Sequence, residues 1–395
     1  MTIKRVYLIF SLFVSMASCA MGQGLSFAEP VDISGGSVSG VSALDAADFN
    51  KDGLMDVVVM DGGKHADHST FGWFEQEEGQ KWTSRSFQFT EELESFIGTV
   101  KCGDINGDSY PDVVFTADGH SSGPIKVYWL ENPGRKQMKP WKAHLSATID
   151  GFHANDIRLA DMDNDGLLDI IIRHKNPNTI RIILQDKKDE WSTVSINTEK
   201  LGLEGFAIGL INGDEKPDIS VNGYWFESPK DPRKELYLLH EIDPVFTTIN
   251  PNTKEDIGDI NKDGLNDIII SAAEAYYNGK DHVLAWYQAP KNPSAQPWIQ
   301  HVVDAPFNRG HSVRLVDIDN DGDLDIVSGQ AWEPRKIVVY LNQDASFETS
   351  YIISDKNGVY SGAVVDVDGD GDIDIVGENM YSKNAKPYYY ENLLK

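Results

Sequence analysis

Six stretches of the chain repeat one acidic pattern, as in Asp317-Ile318-Asp319-Asn320-Asp321-Gly322-Asp323-Leu324-Asp325. Carboxylates packed this closely repel one another unless a hard cation lies among their oxygens, and calcium is the natural occupant of an all-oxygen shell. The first three donors alternate along the chain, the glycine allows a sharp turn, and the last Asp returns to close the shell. The same register places candidate ligands at Asp48, Asn50, Asp52 and Asp56, and at Asp104, Asn106, Asp108 and Asp112. It recurs at Asp161, Asp163, Asp165 and Asp169, at Asp259, Asn261, Asp263 and Asp267, and at Asp366, Asp368, Asp370 and Asp374. A seventh copy is broken: Leu210 stands at the first ligand position while Asn212, Asp214 and Asp218 keep the register, so that loop is expected to be metal-free or weak. An EF-hand is excluded, because its loop closes with a Glu between two helices, whereas apolar β-branched runs flank each copy here.

The first-ligand positions are 48, 104, 161, 210, 259, 317 and 366, a spacing of roughly 50 residues that belongs to radial β repeats. Each unit reads as a short strand into the acidic loop, an apolar strand out of it, and a third strand carrying Trp with an acidic or amide residue, as in Trp129-Leu130-Glu131-Asn132-Pro133. A fourth strand begins near an aromatic residue, Trp82, Trp141, Trp191, Trp298 or Phe347. Four strands in seven units predict an all-β, seven-bladed β-propeller with calcium-binding Asp-rich loops. The last unit runs out one strand short, and Leu25 to Ile33 reads like the missing fourth strand. Pairing it with the last blade removes an open sheet edge.

Residues 1–22 read as a signal peptide, with Lys4 and Arg5 ahead of an apolar run from Val6 to Met16, leaving 23–395 as one propeller domain. Cleavage before Cys19, as in a lipoprotein, and cleavage after Ala20-Met21-Gly22 are both compatible with the residues. Either predicts export to the periplasm or beyond, with a membrane link only through a lipid on Cys19. The one other cysteine, Cys102, is expected to be a small buried residue. The net charge of −27 disfavours nucleic acid and anionic membranes as partners, although much of it is directed at the metal loops.

These repeats resemble the FG-GAP or VCBS propellers over nearly everything after the signal. The Trp129-Leu130-Glu131-Asn132-Pro133 and Trp286-Tyr287-Gln288-Ala289-Pro290 variants look like propellers related to aldos-2-ulose dehydratase and to polysaccharide lyases, some acting on ulvan. The resemblance implies a monomeric enzyme acting by elimination on an oligosaccharide or polysaccharide, and for the ulvan lyases a His, Tyr and Arg group on one face.

In such a propeller the acidic loops lie on one face, and the opposite face carries the segments leading into each first strand and the loops after each second strand. Those loops are expected to be long and polar, holding His65, His68, His120, His174 with Lys175, Tyr224, Glu274, Trp332 and Tyr381; the lead-in segments add His153, Asn155, Asp156, Arg309 and His311. Three residues ahead of each first ligand stand Asp45, Lys101, Arg158, Ala207, Asp256, Arg314 and Ala363, equivalent positions on the innermost strands. Two readings stay open for that ring: structural ion pairs, or a cationic surplus that suits a carboxylate or sulfate.

Removing the proton at carbon 5 of a uronic acid builds charge on its carboxylate, which needs cationic stabilisation, a proton acceptor and a proton donor. The expected assignment puts Arg158 and Arg314 on the carboxylate and His153 and His120 as base and acid, with His174 and Tyr224 beside them. Lys101, His311 and Trp332 complete the substrate contacts. Dehydration of a short uronate oligosaccharide is preferred over chain cleavage, and a catalytic metal in the channel is left open. The competitors are a glycoside hydrolase using carboxylates from among Asp156, Asp256 and Glu274, a sugar-binding or adhesion module with Trp332 and Tyr381 exposed, and a structural surface protein.

Overall fold

The structure, a computed structural model, describes residues 24–38, 40–61, 70–87, 96–134, 140–244, 246, 252–273, 282–331, 335–378 and 385–394. The expected signal segment, Cys19, His65, His68, Glu274, Trp332 and Tyr381 lie outside the described residues.

Seven antiparallel four-stranded sheets form the blades of a propeller. The innermost strands are Ala43–Ala47, Val100–Gly103, Phe152–Ala160, Ala207–Gly209, Thr253–Gly258, Gly310–Val316 and Ser361–Val365. Second strands such as Asp169–Asn176 and Asp267–Ala272 are buried nearly throughout, which explains their continuous Ile and Val runs. Their side chains fill seven apolar wedges, one at each seam between neighbouring blades. The seam between the last and first blades joins Val367, Val376 and Tyr389 to Leu44, Val57 and Phe74.

Closure follows the expected route. Val31–Asp32 pairs with Tyr388–Tyr390, and the sheet order makes that N-terminal strand the outermost one of the last blade. Ala28 N donates to Glu391 O at 2.8 Å, Leu393 N to Ser26 O at 2.8 Å, and Lys386 Nζ lies 2.6 Å from Asp32.

The Trp of the third strand has a structural partner that accounts for several histidines. Trp129 stacks on His144 of the outermost strand at 4.1 Å, Trp225 on His240 at 4.5 Å, and Trp286 on His301 at 4.2 Å. Two residues after each Trp, an acidic or amide group holds the same imidazole: Glu131 at 2.9 Å, Glu227 at 2.8 Å, Gln288 at 3.4 Å. In the first blade Arg85 takes the place of His, opposite Trp73 and 2.5 Å from Glu75. The next residue along reaches around the ring instead. Asn132 Nδ2 donates to Phe49 O at 3.0 Å, Asn342 Nδ2 to Ile260 O at 2.8 Å and Asn392 Nδ2 to Ile318 O at 3.0 Å, each tying one blade to the loop of the blade before it.

A protein beginning at Ile33 is expected to lose cooperative melting by circular dichroism and to aggregate on gel filtration, because it exposes a sheet edge and part of an apolar wedge. One beginning at Gln23 should keep both properties. A monomeric, cooperatively melting product of the longer deletion would rule out the closure.

Candidate functional site

The acidic loops cluster on one face, and their own amides turn the carboxylates inward. In the first, Gly53 N donates to Asp48 Oδ2 at 2.9 Å and Leu54 N to Asp52 Oδ1 at 2.9 Å. The same pair of bonds recurs in the sixth repeat, from Gly322 N to Asp317 and from Asp323 N to Asp321. In Asp161/Asp163/Asp169, Asp317/Asp319/Asp325 and Asp366/Asp368/Asp374, one oxygen from each residue lies within 4.8 Å of the others, so these triads can hold a metal ion. The broken loop differs in its chemistry. Leu210 supplies no oxygen, and Lys216 Nζ stands 3.5 Å from Asp214 as a built-in counter-charge.

The closing Asp does more than close a shell. Asp325 is fully buried, its Oδ2 accepting from Ile318 N at 3.0 Å and its Oδ1 from Asn342 N at 2.7 Å. Asp218 of the broken loop makes the same two bonds, to Ile211 N at 3.2 Å and Ser228 N at 2.9 Å. With no cation bound, burial first and the neighbouring carboxylates after it push Asp56, Asp112, Asp169, Asp267, Asp325 and Asp374 up to about 7.

Three residues before the acidic loops, the innermost strands carry a cationic ring. Lys101 Nζ lies 2.7 Å from Asp45, whose other oxygen accepts from Cys102 N at 2.9 Å. Asp256 accepts from the Ile257 and Leu315 amides at 3.1 and 2.9 Å. Arg158 and Arg314 donate only to carbonyls, Ile157 O at 2.8 Å and Val313 O at 2.7 Å, and among the described residues neither forms an ion pair. Burial, then the charge of Arg314, lowers the pKa of Arg158; burial also lowers that of Lys101, opposed by Asp45 and reinforced by both arginines. The ring thus sets three cations beside two carboxylates: Asp45 pairs with Lys101, Asp256 turns to backbone amides, and the two guanidiniums repel one another. Cys102 is a free, half-buried thiol whose pKa is raised well above the usual value by burial and then Asp45.

Above the ring lies a cavity of about 50 Å³ lined by Lys101, Arg158, Arg314, Asp156, Lys254 and His311 among others. That is room for a few water-sized groups, the scale of a carboxylate or sulfate. Lys254, which sequence reasoning missed, stands 2.6 Å from Asp156. Burial opposes the charge of Asp156, but Lys254 holds its carboxyl below the usual range.

Nearby, His120 and His153 face each other with ring centroids 4.1 Å apart, and Phe96 packs against both at 4.7 and 5.3 Å. Both histidines have left-handed backbones, with φ of 63° and 66°, an arrangement that non-glycine residues adopt where the surroundings impose it. Phe96 also packs with Tyr360, which lines the cavity, so the pair and the cavity share one patch.

His174 and Tyr224 are placed differently from expectation. The second strand of the third blade continues through Arg173, His174 and Lys175 to a tight hairpin, where a long polar loop was expected. His174 is therefore fully buried in the blade, and burial, with Arg181 beside it, pushes its pKa down to about 4. Tyr224 opens the third strand of the next blade after an equally short turn and packs on the wedge beneath it. Neither lines the cavity.

The pH dependence of the loops has a definite sign. A carboxyl whose pKa rises from 3.8 to about 7 on folding contributes stability that is full below 3.8 and lost as pH rises through about 7. In excess chelator the Tm should therefore fall between those pH values, and saturating calcium should raise it most at the upper end. A Tm at pH 7.5 indifferent to chelator would contradict cation binding. In calcium, Asp321→Ala should lower the Tm by several degrees and Asp214→Ala by under about one degree; equal losses would show that the broken loop binds as the intact ones do.

A model described as FG-GAP-like repeat matches residues 104–172 and 259–328. The chain is similar to mouse integrin alpha-IIb, 27% identical over 171 residues, covering 36% of this chain and 16% of that protein. It is similar to human integrin alpha-IIb at 24% identity over 165 residues, 35% of this chain and 15% of that one. The matched stretch is thus under a fifth of either integrin chain. Together with the seven four-stranded sheets, the repeats place this chain among all-β architectures as a seven-bladed propeller carrying FG-GAP-like repeats.

Proposed function

We propose that the cationic throat binds the carboxylate of a uronic acid and that the protein catalyses β-elimination on an anionic oligosaccharide. The observation that carries this reading is the pair of half-buried guanidiniums of Arg158 and Arg314, without ion-pair partners among the described residues, in a protein of net charge −27. In this reading a carboxylate in the throat leaves the pyranose ring at its mouth, where His120 and His153, which connect to the cavity through Phe96 and Tyr360 without lining it, serve as proton-transfer groups. Charge developing on that carboxylate as the proton leaves is what paired guanidiniums stabilise. The acidic loops hold calcium, an oxygen-seeking ion, in a supporting role on the other face.

The small cavity fits a single anionic group of a chain end, which favours dehydration of a short ulvan-like oligosaccharide over cleavage within a long chain. In a glycoside hydrolase reading Asp156 would not supply the acid, because Lys254 holds it ionised. A non-catalytic sugar-binding or adhesion module remains the second reading, favoured by the similarity to integrin alpha-IIb.

Incubation with uronate oligosaccharides, followed by the ultraviolet absorbance of an unsaturated uronate, tests the proposal. Arg158→Ala and His153→Ala are each expected to lower product formation by at least about a hundredfold while leaving the calcium-dependent melting nearly unchanged. Wild-type turnover in both variants moves the site elsewhere. Binding of the sugar by the wild type without any product supports the adhesion reading.

A further inference from the structure

The intact acidic loops differ at their second ligand position, where Asn50, Asn106 and Asn261 stand in three repeats and Asp163, Asp319 and Asp368 in the other three. An Asn there can lock itself against the third ligand. Asn50 Nδ2 donates to Asp52 Oδ2 at 2.9 Å and Asn261 Nδ2 to Asp263 Oδ2 at 3.0 Å, so that the two side chains orient each other. A carboxylate has no hydrogen to give, and at that position it adds a further negative charge to the cluster. Asp163 takes its donor from the next blade. Arg233 lies in the segment joining the third and fourth strands of the fourth blade, Tyr224–Glu227 and Leu238–Glu241. Its Nη1 donates to Asp163 Oδ2, while Nη2 and Nε donate to Asp186 Oδ1, on the third strand of the third blade, at 2.6 and 2.9 Å. One guanidinium thus spans the seam and fixes one oxygen of Asp163. The other oxygen, Oδ1, is closed to solvent and has no hydrogen-bond partner among the described residues. Asp161, Asp163 and Asp169 each bring an oxygen within 4.8 Å of the others, and a cation among them removes the cost of burying that oxygen unpaired.

Among the described residues, Arg233 is the one basic side chain within salt-bridge distance of a ligand carboxylate in an intact loop. It belongs to the blade whose own loop has Leu210 in place of the first ligand. That loop is already held by its neighbours: Asn164 Nδ2 of the third loop donates to Glu215 O at 3.1 Å, and Asn266 Nδ2 of the fifth to Leu210 O at 2.8 Å. We propose that Arg233 is a positioning residue for calcium in the third loop, and that the ion, through Asp163 and Arg233, docks the 228–237 segment of the fourth blade onto the third. This rests on the reading of the acidic loops as calcium sites. Held by the guanidinium, Asp163 keeps Oδ1 in the cluster instead of rotating away from Asp161, Asp165 and Asp169. Four carboxylates offset by one guanidinium leave the third loop with the net charge of the three-carboxylate loops that carry Asn, so the ion meets no deficit of charge. The coupling is reciprocal: what Arg233 adds to calcium binding, calcium adds to the hold on Arg233.

Hydrogen exchange followed by mass spectrometry, on the full-length protein stripped with chelator and titrated with calcium chloride, reads both sides of the seam. Peptides from 161–169 report the third loop. Peptides from 228–237 report the docked segment through the Lys234 and Glu235 amides, both bonded to Asp231 O at 3.0 Å. In the wild type, calcium is expected to slow exchange in both with one midpoint. Arg233→Ala should raise the calcium midpoint of 161–169 by about tenfold, abolish the calcium response of 228–237 and leave the sixth loop, 317–325, as in the wild type. Arg233→Lys should recover part of the midpoint shift, since an ammonium keeps the charge but lacks the fork that holds Asp163 and Asp186 together. Asp161→Ala, which keeps Arg233, should remove the calcium response from both segments. A midpoint at 161–169 no higher than wild type in Arg233→Ala, or a calcium response at 228–237 that survives Asp161→Ala, overturns the proposal while calcium binding by the loops stands. Exchange indifferent to calcium in every intact loop overturns the calcium reading and this proposal with it.

Discussion

A buried aspartate at the end of each acidic loop holds the propeller's repeating unit together. In every one of the seven units its two oxygens accept one amide from the start of the loop and one from the third strand, as with Asp56 to Phe49 and Gln76, and Asp374 to Val367 and Asn392. Charge-assisted bonds of this kind contribute on the order of 1.5–3 kcal/mol each, but only if the carboxylate stays ionised in a site that disfavours charge. A cation among the neighbouring carboxylates resolves that conflict by stabilising the ionised form. The fourth unit keeps Asp218 and its two bonds although Leu210 has removed the first ligand. The backbone role of the carboxylate therefore persists where the first acidic position of the loop is lost.

With each unit stapled in this way, the innermost strands are held in register around the channel, and register decides which side chains meet. Positions that recur every blade form rings. The lower ring, three residues ahead of the loops, sets Lys101, Arg158 and Arg314 against one another, and an upper ring, six ahead, brings Asn155 and His311 onto Glu204. The loops are acidic, while the channel behind them carries Lys101, Arg158 and Arg314.

Histidine content illustrates how context separates equivalent side chains. His144, His240 and His301 serve the blades themselves, each stacked on a Trp and held by a Glu or Gln. His174 belongs to a strand interior. His120, His153 and His311 gather around the throat through Phe96 and Tyr360. Their shared neighbourhood is a property of the closed ring, because their parent strands lie in different blades.

The sequence by itself determined the seven units, their four strands and the closure by Leu25 to Ile33, because periodic apolar runs, turn residues and acidic loops are local signals repeated often enough to reinforce one another. It also located the lower ring, since counting three residues back from each loop needs no coordinates. The same count carried to six would have reached Glu204 and Tyr360, and to five would have reached Lys254; these were passed over because a single buried Glu or Lys has no local mark. Only the tertiary structure decided which charges pair. Asp256 turns to backbone amides while Asp45 turns to Lys101, a difference set by strand twist and neighbouring amides. Only it showed that the strand of the third blade runs on through His174, since polar residues at a strand end look the same in sequence as residues of a loop, and hydrogen bonding to Ala154 and Thr179 across the sheet is what distinguishes them.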